Sequence, residues 1–197
     1  MQVAHLFSHE EDVKNVHDMR DSLGDNIEIM ADVNQGWTVE EAIAVGHQID
    51  ECNLSWLEEP VIADDFDGYH QIADEIQTPV VGGENHFTHH DFKPFFSSMK
   101  IPILQPDLKR GGFTGLRIIA EHANQVGITI APHLFPELSL HLVASIPNPS
   151  WLEYMGWHDH LWVEPVLPER GVIIPTDRPG HGMEFRPELF TDYPYID

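Results

Sequence analysis

The stretch NIEIMADVNQGW, residues 26–37, passes from a short apolar run through Asp32 into a polar turn containing Gly36. Such a run, broken by Asn, Gln and Gly, reads as a buried strand whose C-terminal end reaches the surface. Asp32 is then either a turn residue or a group aimed at a ligand. Recurrence along the chain decides between them.

The pattern recurs. Residues 26–33, 54–60, 78–84, 101–107, 127–133 and 150–155 read as strands, each short, apolar and bounded by Pro, Gly or polar residues. Between them, 38–52, 65–77, 88–99, 112–127 and 136–146 read as helices. In the first of these, Val39, Ile43, Gly46, His47 and Ile49 to Asp50 define the predicted inner face, widened by Ala42 and Val45. Ser8 with Glu11 and Thr38 with Glu41 fit the capping box, and Thr88 with Asp91 fits a weaker version. Strictly alternating strand and helix implies a parallel sheet, either doubly wound or closed into a (β/α) barrel.

Spacing separates the two. Asp32, Glu58 and Glu84 follow one another at intervals of 26 residues; Asp107 comes 23 later, His133 another 26 later and Glu153 another 20 later. Each closes an apolar run, so all six fall at strand C-termini. A barrel gathers those ends at one mouth. A doubly wound sheet would spread them and would offer a Gly-rich phosphate turn, which neither GGEN nor RGGFTG matches. The α/β fold expected is a TIM-type barrel.

Composition bounds the function. The 197 residues hold 33 acids against 10 Lys and Arg, a formal net charge of −23, which argues against nucleic acid or an anionic membrane as partner. The single cysteine, Cys52, cannot form an internal disulfide or a thiolate metal site by itself and suits packing. The first residues, MQVAHLFSHEED, have no signal-peptide pattern and no apolar run has membrane-spanning length, so a cytoplasmic location is expected.

Three carboxylates from adjacent strands, Asp32, Glu58 and Glu84, suit a hard, oxygen-preferring cation, and Mg²⁺ fits because it retains positions for water or a substrate oxygen. Singly, each would equally serve as a helix cap or loop acid. Asp107 beside His133 makes an acid–base pair, the carboxylate orienting the imidazole. Glu153 closes the ring, either as a protonated donor to a developing oxyanion or as a solvated rim acid. His89, His90, His158 and His160 lack such register and read as surface residues.

ADVNQGW, WLEEP, GGEN, QPD, APHLF and WLEYM, in this order, resemble the barrel domain of the enolase superfamily, in its mandelate racemase branch. The resemblance spans roughly residues 9–185 and implies Mg²⁺ ligands at Asp32, Glu58 and Glu84, a His133–Asp107 dyad and an electrophilic acid at Glu153. It places Asn34 and Asn85 beside the ligands, and makes Glu59 a supporting partner. Glu84 and His133 favour the mandelate racemase branch over the muconate-lactonizing one. The implied activity is proton abstraction α to a carboxylate, most readily dehydration of an acid sugar, with racemisation of a 2-hydroxy acid or a catalytically incomplete metal-binding fragment as alternatives. A small-molecule carboxylate is the implied partner, and a homo-oligomer the implied state.

Two departures from the family pattern stand out. Asp107 is one residue closer to Gly111–Gly112 than is usual, so the loop bearing Lys109 and Arg110 is expected to be remodelled. The family's capping domain and first strand have no counterpart, and Gln2, in the remnant MQVAHL, falls where a second lysine is expected. The barrel is therefore expected to be incomplete, occupying 1–155 with strands 2/3 to 8, followed by a C-terminal tail over 156–197. An open edge is expected to pair with MQVAHL or with a neighbouring chain.

Overall fold

The computed structural model describes residues 1–97 and 100–194. Five parallel strands, β1 (Met30–Asp32), β2 (Trp56–Glu58), β3 (Val80–Val81), β4 (Ile103–Leu104) and β5 (Thr129–Ile130), alternate with helices. The helices are α1 (His9–Leu23), α2 (Val39–Ile49), α3 (Phe66–Glu75), α4 (Lys93–Phe96), α5 (Leu108–Gln125) and α6 (Pro136–Val143), with α7 (Leu189–Asp192) near the end. β1, β2 and β3 form one ladder in sequence order and β4 pairs β5. Parallel bridges extend the series: Gln2 to Asp32, Gly82 to Leu104 and Ile130 to Pro149. The result is an α/β barrel wall of the TIM type, left open among the described residues between the Gln2 and Pro149 segments.

Strand periodicity sorts the core into two layers. Ala31, Leu57, Val80, Leu104 and Ile130 face the helices and join the main cluster, while Trp56, Val81 and Ala131 pack inside the barrel against Met30 and Ile103. Asp32 and Glu58 lie two residues beyond Met30 and Trp56, so they share the inner face at its C-terminal rim.

Helix entry follows the local chemistry. Both capping boxes close reciprocally, at Ser8–Glu11 on α1 and Thr38–Glu41 on α2. The buried face of α2 is Ala42, Val45, Gly46 and Ile49, one step round from the face expected; His47 is exposed and Val39 and Ile43 are partly buried. On α5, Leu116, Ile119, Ala120 and Ala123 repeat the same spacing.

Two element expectations need correction. The helix expected over 88–99 contracts to Lys93–Phe96, with Ser98 and Met99 outside the described residues. Pro94 is tolerated only in a first turn, and Asp91 draws the preceding chain into turns by accepting from the N–H groups of Phe87 and Thr88. The strand expected over 150–155 does not form. Its ladder is limited to Asn148–Ser150, where Ile130 N–H donates to Asn148 O and Ser150 N–H to Ile130 O. Pro149 has no N–H and no strand covers its outer side among the described residues. The MQVAHL segment does pair with the open edge, Asp32 N–H donating to Met1 O and Val3 N–H to Asp32 O. No helix of the described residues is long and apolar enough to cross a membrane.

Candidate active site

Parallel register brings the strand ends together. Asp32 lies opposite Glu58 across β1 and β2, and Asp107 lies opposite His133 in a parallel bridge beyond β4 and β5. Glu84 follows β3 after Gly82 and Gly83. Gly83 has φ +131°, a conformation that turns the chain at the strand end and suits glycine. At Gly82 a Cβ would stand 2.8 Å from the Tyr69 hydroxyl, so that the wall admits only glycine there.

Each acid is held by protein donors. Asp32 accepts from the Asn34 N–H at 2.9 Å and from the Asn34 amide. Glu58 Oε2 accepts from the Trp56 indole at 3.0 Å, and Gln105 bonds the same carboxyl. Asn85 Nδ2 donates to Glu59 at 2.9 and 3.0 Å and to Glu84 at 3.4 Å, while its Oδ1 accepts from Arg110 at 2.9 Å. Asn34 and Asn85 thus lie against the expected ligands. Gln2 lies beside Asp32 on the strand edge and is exposed.

The dyad is formed by direct contact. His133 Nδ1 is 2.8 Å from Asp107 Oδ2, and His133 Nε2 is 3.2 Å from Glu84 Oε2. Asp107 also accepts from the Lys109 N–H at 2.6 Å. Glu153 Oε2 accepts from the Leu134 N–H at 2.7 Å.

Burial and charge act in opposite senses around this ring. Burial, followed by the charges of Asp32 and Glu84, pushes Glu58 up to about 7 despite the Gln105 and Trp56 hydrogen bonds. Glu59 is pushed up to about 7 by burial and by Glu84 and Asp32. Burial also raises Asp32 and Glu84. For His133, burial would lower the pKa, but the Asp107 hydrogen bond and the charges of Glu84, Glu153 and Asp107 outweigh it and raise it. For Asp107, burial is overcome by His133 and by the backbone N–H and charge of Lys109, so its pKa falls.

Asp32, Glu58 and Glu84 therefore feel one another's charge, yet no group of three or more His, Cys, Asp or Glu among the described residues is already arranged to hold a metal ion. Their oxygens are turned toward Asn34, Trp56, Gln105 and His133 instead. The donor set fits a hard divalent cation: three oxygen ligands, partly buried, whose mutual repulsion such a charge would offset. Backbone strain gathers here as well. Among the described residues eight non-glycine residues have positive φ, and five of them, Asn34, Gln35, Glu59, Leu134 and Phe135, lie in the mouth loops.

Several contributors were missed in the sequence. Trp56 sits two residues before Glu58, on the same strand face, a period-two signal that was available. Tyr69, fully buried with a hydroxyl lacking a partner among the described residues, lies near the acids; burial and then Glu59 and Glu58 raise its pKa. His158 is not a bare surface residue. It stacks on Phe135 with ring centroids 5.2 Å apart and lies 3.5 Å from the buried Glu137 carboxylate. Only folding brings those three together.

Residues 1–189 match the family described as enolase C-terminal domain-like. The chain is 34% identical over 175 residues to a 3,6-anhydro-alpha-L-galactonate cycloisomerase of Streptomyces coelicolor, covering 88% of this chain and 48% of that protein. It is 34% identical over 176 residues to an L-talarate/galactarate dehydratase of Salmonella typhimurium, covering 89% and 44%. Among solved structures, an L-talarate dehydratase from Polaromonas, complexed with Mg and L-glucarate, superposes with a TM-score of 0.89 at 29% identity, covering 96% of this chain and 53% of that one. The chain thus spans about half the length of the relatives it matches. It belongs to the enolase superfamily, as a C-terminal barrel domain of the mandelate racemase/muconate lactonizing enzyme family.

Proposed function

With that membership as premise, we propose that the domain removes a proton α to the carboxylate of an acid sugar and directs the product toward dehydration. The observation that carries the reading is His133, held through Nδ1 by Asp107 with Nε2 turned toward the acid-lined rim. Mg²⁺, the cation in the Polaromonas relative, is assigned to Asp32, Glu58 and Glu84, with Asn34 and Asn85 orienting those side chains. When bound, it would supply positive charge beside the substrate carboxylate and so acidify the α-carbon.

The chain's own residues do the rest. Neutral His133 keeps its Nδ1 proton on Asp107 and takes the α-proton at Nε2, the C–H electron pair passing into the carboxylate as an ene-diolate. Glu153 would act as the electrophilic group that donates to that developing charge. The carboxylates around His133 favour its imidazolium form, making the imidazole a stronger base and retaining the proton for the next step. The imidazolium then protonates the β-hydroxyl as its C–O bond breaks. Water leaves, and the enol product tautomerises to a 2-keto-3-deoxy acid.

Racemisation would require a second base on the opposite face. Gln2 stands at the strand edge beside Asp32, and an amide cannot accept the proton. That favours dehydration within the mandelate racemase branch that Glu84 and His133 suggest. The test is incubation of the 197-residue chain with Mg²⁺ and a panel of acid sugars, following α-proton exchange in deuterium oxide by NMR and 2-keto product by semicarbazone absorbance. Mg²⁺ binding without exchange or product on any acid sugar would support the metal-binding-fragment alternative.

A further inference from the structure

The mouth just described is acidic on nearly every side, with Asp32, Glu58, Glu59, Glu84, Asp107 and Glu153 contributing. Two cations break this pattern, and they are consecutive. Lys109 and Arg110 follow Asp107 after one intervening residue, Leu108, in a turn set apart from the main body of α5 by Gly112, whose φ is +63°. Both rest on aromatic rings: Lys109 Nζ lies 4.0 Å from the Phe135 centroid and Arg110 Cζ 4.9 Å from that of Phe87.

Some of the chain's other cations are already engaged. Elsewhere Lys14 pairs with Asp18, Lys100 with Asp74 and Arg178 with Glu164. Arg20 is spent on the carbonyls of Gly24, Ile27, Cys52 and Asn53. The Lys109 ammonium forms no close ion pair among the described residues, although its charge is felt at Asp107. Arg110 is committed in part, through its bond to Asn85. Among the described residues the Lys109 N–H donates to the Asp107 carboxylate and the ammonium rests on Phe135, which stacks on His158. A cation laid on an aromatic ring at an acid-lined rim is placed to meet an anionic ligand.

Resting on the reading of the site as one that handles an acid sugar at His133, we propose that Lys109 is a specificity-determining residue that receives a second carboxylate, at the far end of a dicarboxylic acid sugar. A carboxylate entering this rim would be repelled by the surrounding acids unless a cation met it. The lysine emerges two residues after Asp107 and its ring platform two residues after His133. The ammonium therefore stands on the His133 side of the mouth, away from the Asp32 edge. A monocarboxylic sugar of the same configuration has a neutral hydroxymethyl group at that end and gains nothing from it.

The experiment compares matched pairs, galactarate against galactonate and glucarate against gluconate. Binding to the 197-residue chain with Mg²⁺ is measured by calorimetry, for the parent, Lys109→Gln and Lys109→Arg. Expected is tighter binding of the dicarboxylate in at least one pair. Lys109→Gln should weaken that binding about tenfold, the scale of one charge-assisted contact, with little change for its monocarboxylate. Lys109→Arg should restore most of it. Equal binding within both pairs, an equal loss for both acids in Lys109→Gln, or no binding of any dicarboxylate overturns the assignment. Proton exchange in deuterium oxide, run alongside, separates the two readings: Lys109-dependent dicarboxylate binding without exchange defeats the dehydratase reading and leaves the specificity assignment standing.

Discussion

His133 lies between two carboxylates, Asp107 on Nδ1 and Glu84 on Nε2. Only Nε2 faces the rim where a substrate could lie. Replacement of the ring by an amide keeps polarity and rough size but removes the titrating group. His133→Asn is therefore expected to lower α-proton exchange by about 10²–10⁴, the usual contribution of a positioned base, while Mg²⁺ affinity by calorimetry stays near the parent value. Retained exchange would move the base elsewhere. Glu84→Gln is the complementary change, since it removes one charged oxygen donor from the proposed cation set. It should weaken Mg²⁺ binding at least tenfold, whereas an unchanged isotherm would remove Glu84 from that set. The dyad was readable in the sequence because Asp107 and His133 each close an apolar run. The Asn85 network was less so: Arg110, Asn85 and Glu59 meet only when β2, β3 and the start of α5 are side by side.

At the scale of elements, the helix starts are the most transparent features. Ser8 and Thr38 each satisfy an orphan N–H, and Glu11 and Glu41 return the favour to the N-cap backbone. Thr38→Ala is expected to cost about 1 kcal/mol in urea denaturation; a change within error would mean that α2 is held by packing alone. The boxes also set an acid dependence. Backbone N–H bonds, and then the cap hydroxyls, hold Glu11 and Glu41 below their ordinary 4.5. A carboxylate depressed in the folded state stabilises it above the ordinary value, and that contribution fades as pH falls through 4.5 toward the lower folded value. The double variant Glu11→Gln/Glu41→Gln should thus be less stable than the parent at pH 7. The gap should narrow steadily below pH 4.5 in denaturation midpoints, and a gap independent of pH would contradict this account. Strand ends were equally legible, since a polar residue after an apolar run marks the place where the chain leaves the core. Residues 150–155 were not: WLEYM has strand composition, but strand formation there depends on a neighbour rather than on its own residues.

For the whole molecule, the decisive feature is the gap in the wall. The described strands run in one parallel series from the Gln2 segment to Pro149, and no bridge joins those two ends. Among the described residues no further strand pairs with either end, the arrangement that most readily recruits another strand. Large apolar side chains are exposed on the described residues as well, among them Leu6 at 79%, Ile174 at 81%, Phe190 at 72% and Tyr193 at 73%. The 197-residue chain by itself is accordingly expected to associate. Its mass by light scattering should exceed the monomer's 22.4 kDa and rise with concentration. Lysine on an edge is the natural means of blocking such pairing, and Trp151, 42% exposed just beyond the Pro149 bridge, is the position to place it. Trp151→Lys should lower the scattered mass toward that of the monomer while far-UV circular dichroism stays unchanged. A chain that remains monomeric at every concentration would show that the open edges are satisfied within one molecule, and the two-edged description of the wall would then have to be abandoned.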